Sequence, residues 1–169
     1  MRAVYPGSFN PPTIGHLAIV EAALSAHPLT QLDLVVSRRA LAKDVIDHPT
    51  LEERVDVIKA SISHLAVVTV QVTDLQLIAD IAESYDMVIM GADKWVQIND
   101  LGFYDSPEHQ IECLQRLPQL AIASRGDQDV PADARLVVPE PIDEVSSTGA
   151  RGGNVLWMTS AAQASHYWH

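Results

Sequence analysis

Three short strings of this chain combine residue types that handle phosphate. The first is Gly7-Ser8-Phe9-Asn10-Pro11-Pro12-Thr13-Ile14-Gly15-His16, which follows the apolar run Ala3-Val4-Tyr5. A strand that gives way to small residues and then to a helix start offers an anion both backbone N–H groups and a positive helix end. Gly7 lets a ligand approach the backbone, and the Ser8 hydroxyl can donate to a phosphate oxygen. His16 falls one turn into the helix, where its ring can do the same. The second string is Ser146-Ser147-Thr148-Gly149-Ala150-Arg151, in which Ser147 and Arg151 share a face if a helix follows. A hydroxyl and a guanidinium then surround one anion. The third is Met90-Gly91-Ala92-Asp93-Lys94-Trp95, where a carboxylate at a strand's end suits ribose hydroxyls or the cap of the next helix. Each string also has a plainer reading, as a turn, an N-cap or local packing. No Walker A sequence and no G-x-G-x-x-G occurs.

These strings need elements to hold them, and the hydropathy pattern supplies an alternating series. Strands are expected at Arg2–Tyr5, Leu32–Ser37, Val67–Val72, Met87–Met90, Leu120–Ser124 and Leu136–Val138. The first helix, Thr13–Ala26, carries Leu17, Val20 and Leu24 at helical spacing. Thr50-Leu51-Glu52-Glu53 reads as a capping box opening a helix through Val55, Ile58 and Ile62. Thr73-Asp74-Leu75-Gln76 reads as a second box, opening a helix that ends near Tyr85, and a helical hairpin is expected after Asp93, reaching Leu117. Apolar strands alternating with amphipathic helices predict an α/β fold, a doubly wound, Rossmann-like and mostly parallel sheet with helices on both faces. In that topology the first and fourth strands are neighbours, so Pro6–Asn10 stands beside Gly91–Asp93. Nothing divides the chain, and residues 1–169 read as one domain.

Composition restricts the partners. Eleven Lys and Arg stand against 22 Asp and Glu, a net charge of −11, which disfavours nucleic acid and anionic membranes. Any phosphate site must then be locally positive. Met1-Arg2-Ala3 leads directly into a strand, no apolar run is long enough to span a membrane, and Cys113 is the single cysteine. A cytoplasmic protein without disulfides or cysteine-rich metal sites is the expectation, with homo-oligomerisation left open.

The Gly7 to His16 string resembles the signature of the nucleotidyltransferase superfamily with the T/H-x-G-H motif, whose members transfer AMP or CMP from ATP or CTP. Separated motifs carry the resemblance from Arg2 to Arg151. It implies catalytic roles for His16 and Ser8 at the α-phosphoryl group, and ATP contacts from Gly7, Ser8, Phe9 and His16. Ser147, Thr148 and Arg151 match the S-S-T-x-x-R segment that holds the β- and γ-phosphates. Gly91-Ala92-Asp93 is similar to the nicotinate/nicotinamide mononucleotide adenylyltransferase branch, whereas the phosphopantetheine branch would carry an Arg-Gly pattern. Acceptor contacts are accordingly expected from Asp93, from Lys43 in preference to Arg38 and Arg39, and from a stacking aromatic, Trp95, Phe103 or Tyr104. Arg54 lies in a string that the superfamily also shows, with a structural role equally open.

The implied reaction joins AMP from ATP to nicotinate or nicotinamide mononucleotide and releases pyrophosphate. The acceptor's own phosphate is the nucleophile, Mg²⁺ is carried with ATP, and no metal is bound by the protein itself. The alternatives are another phosphorylated acceptor (phosphopantetheine, or a polyol phosphate with CTP) and a nucleotide-binding protein without turnover. Beyond Arg151 the resemblance stops: Gly152-Gly153-Asn154 and the Ala/Ser-rich stretch after it do not look like an amphipathic closing helix. A flexible end, including His166 and His169, is the expectation there.

Overall fold

Strands buried on both faces must be apolar throughout, and in the computed structural model, which describes residues 1–39, 46–139 and 141–169, the apolar runs become one parallel sheet. Its strands are β1 (Arg2–Pro6), β2 (Gln31–Ser37), β3 (Val68–Thr73), β4 (Met87–Gly91), β5 (Gln119–Ala123) and β6 (Arg135–Leu136). They lie in the order β3-β2-β1-β4-β5-β6, every neighbouring pair parallel. Order reverses between β1 and β4, where Val4 pairs with Val88, so the switch point lies at their shared C-terminal edge. The helices are α1 (Ile14–Ala26), α2 (Leu51–Ser61), α3 (Ile78–Ile81), α4 (Ala92–Ile98), α5 (Pro107–Gln115), α6 (Ser147–Arg151) and α7 (Ser160–Ser165).

Alternate residues of each strand divide between two cores. Ala3, Tyr5, Leu32, Leu34, Met87 and Ile89 face one layer with Val20 and Ala23 of α1. Val4, Val35, Val88, Met90 and Ile122 face the other, with Ile81 of α3 and Ile98 of α4. The expected first capping box forms: Thr50 accepts from Glu53 N, and Glu53 accepts from Thr50 N at 2.8 Å. A third cluster joins Val57 of α2 to Ala150 of α6 and to Met158 and Ala162.

Several expectations need correction. Thr73 closes β3 and its hydroxyl accepts from Leu75 N, so no second capping box exists. The helix that follows has only four residues, Ile78–Ile81, and Leu77 at its N-cap position provides no side-chain cap. The region after Asp93 is α4, a 3₁₀ turn at Leu101–Phe103 and α5. β6 has two residues because the next one, Val137, is 75% exposed and has no layer to pack against. The segment past Arg151 is folded, with a 3₁₀ turn at Val155–Trp157 and α7 packed near α2. Among the described residues, no helix is long and apolar enough to cross a membrane.

Candidate functional site

The turn from β1 to α1 is held in place before any ligand is considered. Gly7 N donates to Val35 O at 3.0 Å, which ties the loop to β2. A Cβ on Gly7 would stand 2.9 Å from the Phe9 ring, so the ring can lie under the loop only because residue 7 is glycine. Phe9 itself has φ 45°, a rare conformation for a bulky residue, kept because its buried ring packs edge-on to Tyr5 and His16 at 5.3 and 4.9 Å. The Asn10–Pro11 peptide is cis.

At the start of α1, His16 takes the place that Glu holds in an ordinary capping box. Thr13 Oγ1 accepts from His16 N, and His16 Nδ1 accepts from Thr13 N at 2.9 Å. A backbone N–H can only donate, so Nδ1 presents its lone pair and the ring proton sits on Nε2. His16 thereby enters the cleft wall as a fixed donor tautomer.

Loop and helix face a cleft of about 670 Å³ above β1 and β4, within the size range of small-molecule sites. Its lining includes Gly7, Ser8, Phe9, Asn10 and His16, then Ser147, Thr148 and Arg151, and also Asp93, Lys94, Phe103, Tyr104 and Arg125. The first and second strings are joined directly. Ser147 Oγ donates to Pro11 O at 2.8 Å, and the Arg151 guanidinium donates to Asn10 O and, at 3.4 Å, to Thr148 Oγ1. Behind the loop, buried Arg54 donates to Ser8 O at 3.2 Å. Burial holds its pKa below the ordinary guanidinium value.

Charge follows the same pattern. The described residues lining the cleft include Lys94, Arg125 and Arg151 but a single carboxylate, Asp93. A chain of net charge −11 has thus assembled a locally cationic site. Asp93 lies in the first turn of α4, which Gly91 rather than Asp93 caps. Its two oxygens accept from Arg125 Nη1 and Gln128 Nε2, each at 2.8 Å.

Of the three candidate aromatics, Phe103 and Tyr104 reach the cleft and Trp95 does not. Lys94, Gln97 and Ile98 share the cleft-facing side of α4; Trp95, one residue on from Lys94, is turned about 100° around the helix and packs on the core beneath β4 and β5. Lys43 lies outside the described residues. Among those described, no group of three or more His, Cys, Asp or Glu is placed to hold a metal; the His166 and His169 rings stand 5.0 Å apart.

Sequence reasoning missed Arg125, whose signal was a lone base after the apolar β5 strand. It also left Asn10 without a role, although its carbonyl binds Arg151 and its side chain accepts from Trp168.

Comparison with known proteins agrees with this layout. Three curated phosphopantetheine adenylyltransferases are similar over short stretches: from Carboxydothermus hydrogenoformans (39% identical over 62 residues), Nautilia profundicola (36% over 70) and Heliobacterium modesticaldum (38% over 69). The matches cover 37, 41 and 41% of this chain, and 35, 42 and 38% of those relatives, well under two thirds of their length. Two structures of Plasmodium falciparum nicotinic acid mononucleotide adenylyltransferase, complexed with APC and with NaAD, share the fold, each with a TM-score of 0.61. They are 14 and 16% identical, and each superposition covers 89% of this chain and 82% of the other. Residues 4–153, which hold all three strings and all of the sheet except Arg2 and Ala3, match the Cytidylyltransferase-like family, and the chain belongs to it.

Proposed function

We propose that the protein is an adenylyltransferase that joins AMP from Mg-ATP to nicotinate or nicotinamide mononucleotide and releases pyrophosphate. The observation that carries this reading is the hydrogen-bonded union of the Gly7–His16 loop with Ser147 and Arg151 at one cationic cleft. That union brings hydroxyl and guanidinium groups of both strings to one cleft, which supports a triphosphate ligand. In the reaction, an acceptor phosphate oxygen attacks the α-phosphorus in line, the new P–O–P bond forms, and the bond to pyrophosphate breaks. Because the nucleophile is already anionic, no general base is needed, and catalysis consists of alignment and charge stabilisation.

His16 Nε2–H and Ser8 serve the α-phosphoryl group. Thr148 and Arg151 serve the leaving pyrophosphate together with the Mg²⁺ that ATP carries. Lys94, Arg125 and Asp93 border the acceptor end, and the Phe103 and Tyr104 rings offer flat faces to a pyridine.

A second reading, phosphopantetheine as acceptor, is favoured by the sequence similarity to adenylyltransferases of that specificity. Pyrophosphate release measured with ATP or CTP against nicotinate mononucleotide, nicotinamide mononucleotide and phosphopantetheine separates the two. Turnover is expected with ATP and a pyridine mononucleotide, and Asp93→Ala is expected to raise the KM of the acceptor more than that of ATP. Turnover with phosphopantetheine alone would replace the first reading by the second. No turnover with any pair would overturn both.

A further inference from the structure

The segment that departs from the family pattern is attached to the candidate nucleotide loop at several points. Met158 forms an isolated antiparallel bridge with Thr13, and Thr159 N donates to Pro12 O at 3.1 Å. The Thr159 hydroxyl is buried against Ser61 Oγ of α2 at 2.7 Å. Met158 and Ala162 are fully buried in the third core cluster, which Trp157, Tyr167 and Trp168 edge. Trp157 packs so closely on α6 that a Cβ at Gly149 would stand 2.5 Å from its ring. The chain ends this course at Trp168, whose indole Nε1 donates to Asn10 Oδ1 at 2.6 Å.

Asn10 is therefore gripped from both sides. Its carbonyl accepts from Arg151 and its side chain accepts from Trp168. An indole N–H can only donate, so the bond also decides which end of the Asn10 amide faces the tryptophan. Asn10 follows Phe9, whose backbone is in the left-handed region, and it lines the cleft. A loop with strained backbone keeps its shape only when its surroundings over-determine it. The family match closes at residue 153, so the strap that supplies this restraint lies outside it.

We infer that Trp168 is a positioning residue for the site: through Asn10 it holds the loop in the shape that aligns Ser8 and His16 with the phosphates of ATP. The role assigned to the loop rests on the adenylyl-transfer reading; the restraint itself does not.

The test uses the full chain with Trp168→Phe, which removes the N–H and keeps an aromatic ring, Asn10→Ala, which removes the acceptor, and Asn10→Asp, which retains one. Hydrogen–deuterium exchange without ligand is expected to quicken about 3- to 10-fold at the amides of residues 7–16 in Trp168→Phe and in Asn10→Ala, the factor carried by one lost hydrogen bond. The central strands should exchange as in the wild type. The double variant should be no worse than either single one, because both remove the same bond. In exchange, Asn10→Asp should keep the loop near its wild-type protection. In turnover, kcat/KM for ATP should fall by a similar factor, with kcat carrying the larger part.

Unchanged loop exchange in Trp168→Phe, or additive effects in the double variant, would overturn the inference. A wild-type chain that turns over no substrate, yet whose loop responds in exchange, would sink the adenylyl-transfer reading and leave the restraint standing.

Discussion

His16 carries two duties that are separable by substitution. Its Nδ1 closes the capping box with Thr13, and in the proposed reaction its Nε2 proton is the donor to the α-phosphoryl group. His16→Ala removes both. Loss of one transition-state donor costs on the order of 10²–10³ in kcat, and loss of an N-terminal cap interaction about 1 kcal/mol of stability. Gln is a natural partner in such a box, so His16→Gln should return the stability in urea unfolding while turnover stays well below wild type. Activity of His16→Ala within a few-fold of wild type would remove the residue from the centre of the site. Asp93 illustrates a different lesson at the same scale. Its carboxylate is clamped by Arg125 and Gln128, so whatever it does for an acceptor it does as part of a charged triad.

At the scale of elements, α2 is more than a covering layer. Its capping box fixes where the helix starts, and that start turns Arg54 inward, 5% exposed, onto the carbonyl of Ser8. The guanidinium makes that one hydrogen bond while its buried Nε has none, an expensive arrangement for folding alone. A fixed positive charge directly behind the loop would have a use in the proposed reaction, where that loop meets phosphates. Arg54→Met removes the desolvation cost along with the hydrogen bond, so folding stability in urea should change by no more than about 1 kcal/mol. The stabilisation that Mg-ATP confers in a thermal shift should shrink. If the stabilisation by Mg-ATP were unchanged, Arg54 would be a structural residue only.

Across the whole molecule, one buried carboxylate sets part of the pH response, on the sheet face that the short α3 leaves partly open. Burial of Asp33 tends to raise its pKa, but hydrogen bonds from Thr69, Tyr85 and Gln31, with the charge of Arg2, outweigh it and leave the pKa below the ordinary value. Its stabilising contribution is complete above the unfolded carboxylate range near pH 4 and fades as pH falls through the lower folded value. The partner shifts the other way. Burial and the bond to Asp33 push Tyr85 up to about 12, so its contribution holds below about pH 10 and fades as pH rises through 12. Urea unfolding across pH should therefore show a flatter acid limb in Asp33→Asn and a flatter alkaline limb in Tyr85→Phe. Limbs as steep as wild type would mean that other groups govern both ends.

The local grammar of this chain was strong enough to determine its strands and its first two helices. Apolar runs such as Leu34 to Val36 must be buried on both faces, and the box at Thr50–Glu53 closes within four residues, so both were legible without a partner. The same holds for the Gly7–His16 string, whose glycine, hydroxyl and imidazole lie on one short stretch, and for the strand order that brings it beside Gly91. What sequence could not decide were events involving distant chain. The Thr73–Gln76 box fails because Thr73 is claimed by pairing with Ser37 of β2, a competition invisible in the local string. Trp95 turns into the core because α4 begins directly after β4, and its phase around the helix is set by that junction. Arg125, Arg54 and Trp168 reach the cleft walls and the loop from 32, 46 and 158 residues away, distances over which side-chain chemistry leaves no periodic trace. Residue types and short spacings determined which donors the loop carries; only tertiary packing determined which cations surround it and what holds it in shape.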